Sequence, residues 1–138
     1  MGNPFYIEYD KITSQVPGIP LRGGGLATGI TFSGNGTVKG IGFTDTGRAL
    51  IVPISKTTAD IFGGVAIKAN VGGGNSTLSF RELVHMTPAG TMQGSGAAIF
   101  NANSTRNLSF LGNTVAMFTD TGNKSGIDTI KAWEWKYR

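Results

Sequence analysis

Apolar and polar positions alternate with a period of two through most of this chain. Phe5, Ile7 and Tyr9 share one side of FYIEYD, and Leu50, Val52 and Ile54 share one side of RALIVPI. Ile61, Val65, Ile67 and Ala69 share a side of DIFGGVAIKA together with Gly63, and Leu78, Phe80, Val84 and Met86 share one in TLSFRELVHM. Val115 and Met117 alternate with Ala116 and Phe118, and Trp133, Trp135 and Tyr137 alternate with Ile130, Ala132 and Glu134. Period two is the pattern of strands with one buried face. Between the runs stand PGIP, GGG, SGNG, TDTG, VGGGNS, TPAG, ANSTRN, LGN and DTGNKSG, all rich in residues that make turns.

The spacing of these signals, roughly 8–15 residues, predicts about eight to ten short antiparallel strands. Little helix is expected. Only SKTTADIF has a weak helical pattern, with Ser55 placed to cap one turn. Gly40, Gly42, Gly63, Gly64, Gly94 and Gly96 fall inside the predicted strands. Interior glycine marks bends and bulges where a small sheet curls shut, which favours a closed barrel over a flat sandwich. The expected fold is therefore all-β, a single antiparallel β-barrel. Residues 1–25 read as an N-terminal arm or first strand and residues 26–138 as the barrel domain.

The pentapeptide FTDTG occurs twice, at 43–47 and 118–122. Asp-Thr-Gly suits a turn, because the Asp carboxylate accepts nearby backbone N–H groups and glycine takes positive φ. Two equivalent hairpin turns are expected. The rival reading is a pair of catalytic aspartates of the aspartic-protease kind, which must share one site. Thr44 and Thr119 stand before the aspartates where that motif has an apolar residue, and no second apolar-apolar-Gly signature follows convincingly.

Charge and composition narrow the function classes. A length of 138 residues fits one domain, and it contains no cysteine. Charged residues are only 14% of the chain, with formal net charge +4. The basic residues are scattered rather than clustered, so nucleic-acid binding is not expected. No segment has the roughly 20 consecutive apolar residues of a membrane-spanning helix. MGNPFYIEYD lacks the basic and apolar regions of a signal peptide, which leaves a cytosolic protein or one whose leader has been removed. Low charge with abundant Gly, Thr and Asn inclines the reading toward a secreted or surface protein. Five Asn-x-Ser/Thr sequons, at Asn35, Asn75, Asn103, Asn107 and Asn123, fall in predicted turns or loop edges.

Candidate chemistry is sparse. RGGGLATG and NVGGGNS lack the Gly-Lys-Ser/Thr ending of a phosphate loop. With one histidine and no carboxylates at calcium-loop spacing, no metal site and no cofactor are expected. Glu82 stands out because it falls on the apolar side of TLSFRELVHM; a carboxylate inside a barrel is costly unless paired. Glu134 shares the ambiguity. Trp133, Trp135 and Tyr137 form an aromatic stripe that suits core packing, a pocket wall or an exposed platform.

The succession GNGTVKGIGFTDTGRALIVP, GTMQGSGAAIFN, NLSFLGNTVAMFTDTG and IKAWEWK, spanning most of residues 30–136, resembles a group of small uncharacterised, mainly archaeal, calycin-like β-barrel proteins. The resemblance implies a calycin-type barrel, a class whose distant members include lipocalin-type binders and allene-oxide-cyclase-type enzymes. It rests on turn and core residues, and no catalytic residue is carried over by it. The leading expectation is a non-catalytic barrel binding a small apolar ligand, with Phe80, Glu82, Trp133 and Trp135 beside the cavity. A secreted or surface subunit that self-assembles as a homo-oligomer, by its faces or by the strand FYIEYD, is the alternative. A cyclase- or isomerase-type enzyme using Glu82 is the third.

Overall fold

A computed structural model describes residues 2–136, so Tyr137 of the aromatic stripe lies outside the described residues. Eight strands follow in chain order: β1 (Tyr6–Pro20), β2 (Leu26–Val38), β3 (Ile41–Pro53), β4 (Thr58–Ala69), β5 (Asn75–Met86), β6 (Met92–Phe100), β7 (Val115–Gly122) and β8 (Ile127–Glu134). Each pairs antiparallel with the next, and β8 pairs with β1 to close the barrel. Closure removes the open edges of a sheet with few charges to protect them. A short 3-10 helix, Arg106–Leu111, lies between β6 and β7. Among the described residues no helix is long and apolar enough to cross a membrane.

The segment 1–25 contributes β1. Over Tyr6–Lys11 it is paired on both sides, with β2 and β8, so FYIEYD is not a free strand awaiting a partner. The remainder of β1 pairs with β2 alone, and its register shifts between Ile12 and Ser14 and again between Val16 and Ile19.

One end of the barrel is packed shut. Tyr6 stacks on Phe43 at 5.1 Å and meets Phe100 edge-on at 5.9 Å. Leu108 and Leu111 of the 3-10 helix are fully buried there. Midway along the axis Phe32, Phe80 and Phe118 meet edge to face at 6.4 and 6.2 Å. Edge-to-face contact brings the positive rim of one ring to the negative face of the next.

Several turn signals are strand residues instead. FTDTG lies within β3 in its first copy and ends β7 in its second, and PGIP and SGNG lie within β1 and β2. The reason is period two: Phe43, Asp45 and Gly47 face inward, as do Phe118, Asp120 and Gly122, while the threonines face out. A tight turn does join β2 to β3, at Lys39 and Gly40 with φ of 46° and 81°. Two successive positive φ values match the twist of a two-residue hairpin, so Gly40 is a turn residue. SKTTADIF forms no helix: Ser55 Oγ accepts the backbone N–H groups of Thr57 and Thr58 (3.3 and 3.1 Å) in the turn that leads into β4.

Two faces are inverted relative to the apolar pattern. Tyr6, Glu8 and Asp10 point inward from β1, leaving Tyr9 on the surface; from β3 it is Ala49 and Ile51 that line the interior, while Ile54 is exposed.

Inward glycines set the bore. A Cβ at Gly34 would overlap the Tyr9 carbonyl oxygen on the neighbouring strand. Gly34→Ala is therefore expected to cost about 3 kcal/mol or more, as overpacking that the backbone must absorb. Gly40→Ala meets nothing within 4 Å and loses only the positive φ, about 1–2 kcal/mol. Urea unfolding of both variants checks the ranking.

Candidate functional site

The barrel encloses a cavity of about 480 Å³. Tyr6, Phe100, Ala116 and Ala132 form its floor, and Phe32, Phe80 and Phe118 its waist. Ile12, Ile30, Ile51, Met86 and Met92 surround the mouth, with Ser55, Lys56 and Thr57 of the β3–β4 loop.

The polar content of the interior is almost entirely carboxyl. Of the eight acidic residues in the chain, six point into the barrel: Glu8, Asp10, Asp45, Glu82, Asp120 and Asp128. Among the described residues no Lys, Arg or His reaches them. The ion pairs present are Arg81–Asp60, Lys39–Glu134 and Lys136–Glu134, all at the surface or the barrel rim. The basic surface thus conceals an acidic interior.

Five of the six fall into two groups built by one device. On β2 the inward residues Gly34 and Gly36 lie between β1 and β3. Gly34 is paired with Asp10 on one side and Asp45 on the other, and Gly36 with Glu8 and Phe43. With no side chain on the middle strand, carboxyls two strands apart come together. Oxygens of Glu8, Asp10 and Asp45 all lie within 4.8 Å of one another. On β6 the residues Gly94 and Gly96 play the same part. Gly96 is paired with Glu82 and Phe118, and Gly94 with Val84 and Asp120. The repeated FTDTG supplies Asp45 to one group and Asp120 to the other, from strands on opposite sides of the barrel. Asp45 and Asp120 therefore belong to separate groups rather than forming the shared pair of an aspartic protease.

Burial governs the protonation of these groups. Glu82 is pushed up to about 10, first by burial and then by the charge of Asp120, with which it shares a hydrogen bond. Asp120 rises only to about 6, because the bond from Glu82 partly offsets its burial. Near neutral pH the pair is one acid and one carboxylate. Asp128 rises to about 7, by burial and then by Asp120. Glu8 is pushed up to about 8 by burial, while hydrogen bonds with Asp10 and Tyr6 lower it. The Tyr6 hydroxyl donates to Glu8 Oε1 at 2.7 Å. Burial likewise raises Asp10 strongly, reinforced by hydrogen bonds with Glu8 and Asp45.

Of the sequence-derived candidates, Phe80 and Glu82 line the cavity together. Trp133 and Trp135 do not. Strand parity puts Ala132 inside, where the aromatic floor leaves room only for a small residue, and turns Trp133 outward. The Trp133 Nε1–H donates to the Gly2 carbonyl at 2.7 Å, and Trp135 is 59% exposed. Glu134 sits at the rim, 3.9 Å from Lys39 and 3.6 Å from Lys136. Sequence reasoning missed Glu8, Asp10 and Asp128, and it read Asp45 and Asp120 as turn residues. A signal existed in YIEYD, where Tyr6, Glu8 and Asp10 share one side; the apolar residues of the opposite side concealed it.

No protein-family model and no curated protein matches the chain. Solved structures share its fold, two of them as follows. A β-barrel-like protein from Acinetobacter baumannii superposes with a TM-score of 0.78 at 14% identity, over 97% of this chain and 94% of its own. A conserved protein of unknown function from Rhodopseudomonas palustris gives 0.75 at 10% identity, over 96% and 95%. At these identities the likeness establishes the small β-barrel fold alone, and the archaeal link expected from the sequence finds no support in the two.

The raised carboxyls set a pH dependence. In the unfolded chain they lose their protons near pH 4. In the fold Asp120, Asp128, Glu8 and Glu82 keep them to about 6, 7, 8 and 10. The folded state binds more protons across that window, so stability is full below about pH 4 and falls as pH rises toward 10. Glu82→Gln should raise the melting temperature at pH 9 by at least several degrees, since about 1 kcal/mol moves it by about 2–8 °C. At pH 4.5 the change should be small. Thermal melts in chelator-treated buffer at the two pH values check this.

Proposed function

We propose that this protein is a non-catalytic binder of a small ligand with an apolar body and a cationic or hydrogen-bond-donating head. The carrying observation is the division of the cavity wall: hydrocarbon at the mouth, aromatic rings at the waist, and between the two Glu82 and Asp120, carboxyls with no basic partner among the described residues. An eight-stranded barrel is just wide enough for one small ligand. The apolar mouth and the Phe32–Phe80–Phe118 waist would desolvate the body. The Glu82–Asp120 pair and Asp128 would receive the head, because an ammonium supplies the positive partner these carboxyls lack among the described residues. The reading sharpens the apolar ligand expected from the sequence, since a purely apolar guest would leave those carboxyls without partners.

A catalytic reading has one specific observation in its favour. Glu82 and Asp120 are hydrogen-bonded carboxyls whose pKa values are driven apart, the condition for an acid and a base in one site. A cyclase or isomerase would use Glu82 to give a proton and Asp120 to take one.

Displacement of the neutral fluorophore N-phenyl-1-naphthylamine separates these ideas from a closed core. The probe should brighten on binding, and decylamine should displace it at about tenfold lower concentration than decanoate, a difference of about 1.4 kcal/mol. Glu82→Gln should narrow that preference. Absence of probe binding, or stronger binding of decanoate, removes the cationic-head reading.

A further inference from the structure

The two halves of the barrel present the same frame, and one difference between them points to a second site. Glu8, Gly36, Phe43 and Asp45 in the first half occupy the positions of Glu82, Gly96, Phe118 and Asp120 in the second, strand for strand and in register. Opposite Gly94 the second half has Val84, whereas opposite Gly34 the first half has Asp10. The second half therefore holds a pair that one proton can bridge. The first half holds three carboxyls around one point.

We propose that Glu8, Asp10 and Asp45 bind a divalent cation of the calcium class in the inner wall of the barrel. Three observations carry this. Their oxygens all lie within 4.8 Å of one another. Ligands about 2.3–2.6 Å from a shared Ca²⁺ stand no more than about 5 Å apart, whereas the shorter Mg²⁺ bonds, about 2.0–2.1 Å, demand a tighter cluster. Asp45 is 3% exposed, and no N–H or O–H donor from outside the carboxyl cluster reaches either of its oxygens. Glu8 is also 3% exposed, and while its Oε1 is held by the Tyr6 hydroxyl, its Oε2 meets no donor from outside the carboxyl cluster. Buried polar atoms left without partners are rare enough to require a cause. Tyr6 acts as a positioning residue, fixing the Glu8 carboxyl so that its second oxygen faces Asp10 and Asp45. An all-oxygen, carboxyl-rich set suits hard cations over zinc or copper. Glu8 and Asp10 also line the cavity, which gives the ion a path from the mouth and leaves room for water to complete its coordination.

The site is independent of the organic ligand proposed above. Its test uses metal ions alone, so failure of one reading leaves the other standing. Chelator-stripped full-length protein is titrated with Ca²⁺ by calorimetry, and in parallel with Tb³⁺ while tyrosine is excited. The expected result is one ion per chain in both titrations, with sensitised Tb³⁺ emission that Ca²⁺ displaces. Asp45→Asn should weaken binding by about 100-fold, since loss of even an outer-shell partner costs about 10–100-fold. Asp60→Asn, which removes only the surface partner of Arg81, should bind as the parent does. Circular dichroism of Asp45→Asn establishes that it is folded. If Asp45→Asn is unfolded, Tyr6→Phe replaces it in the calcium calorimetry, with about tenfold weakening expected. Absence of stoichiometric heat with Ca²⁺, or equal binding by the folded variant, overturns the proposal and leaves the triad as a proton-sharing cluster.

Discussion

The cost of holding carboxyls inside a closed barrel is the constraint from which the rest of the structure follows. An isolated charge in such a place is too expensive to persist, so it must be neutralised by a proton, a cation or a partner. Among the described residues no basic side chain supplies the partner, and the interior instead brings carboxyls close enough to share what neutralises them. That closeness requires space. Gly34 and Gly36 on β2, and Gly94 and Gly96 on β6, provide it by leaving the intervening strand bare on its inner side. The glycines are thus as much a part of the site as the acids: at Gly34, Gly36 and Gly96 a Cβ would overlap neighbouring backbone, and at Gly94 it would press on the Val84 side chain.

The same constraint accounts for the division of the barrel into a packed end and a hollow end. Tyr6, Phe43, Phe100, Leu108 and Leu111 fill one end to exclusion of water. Bulky residues there compensate for the apolar burial given up at the acidic level, and they fix Tyr6 so that its hydroxyl reaches Glu8. Beyond the Phe32–Phe80–Phe118 layer the side chains no longer meet across the axis, and the cavity opens. Cavities in apolar surroundings are destabilising, so a hollow of this size with unpartnered acids at its side is a feature that stability alone would not select.

Much of the architecture was legible in the sequence: the strand period, the interior glycines and the low helix content point to a closed antiparallel barrel of about eight to ten strands. The site was far less legible, for a physical reason. Period two identifies two faces, and hydrophobicity ordinarily selects the buried one. In β1 it selects wrongly, because Ile7 and Tyr9 are apolar while Glu8 and Asp10 are the residues inside. In β5 the inward Glu82 was visible because Leu78, Phe80, Val84 and Met86 surround it on the same face. Asp45 and Asp120 were hidden by their sequence context, since Asp-Thr-Gly is as good a turn as it is an inward Asp followed by an inward Gly. The meeting of Asp10 with Asp45 depends on register across a third strand, and no local pattern encodes it.

The recurrence of FTDTG acquires its meaning from this register. Each copy supplies an aromatic ring, a carboxyl and a vacancy to the interior, in equivalent register on β3 and β7. Beside each copy lies a Gly-x-Gly strand, and beyond that a strand bearing an inward glutamate. A duplicated four-strand frame would produce this arrangement, and so would repeated selection of one solution to the same packing problem; both lead to two acidic walls facing each other. What distinguishes the walls is a single position, Asp10 against Val84. Replacing an apolar residue by a third carboxyl changes a wall whose two carboxyls one proton can bridge into one that needs more positive charge than one proton brings. Asp128, across the β1–β8 seam from Asp10, extends that acidic surface toward the second wall. The barrel thereby presents graded demand for positive charge along one interior, which is a more specific property than hollowness and the one by which its ligands should be sought.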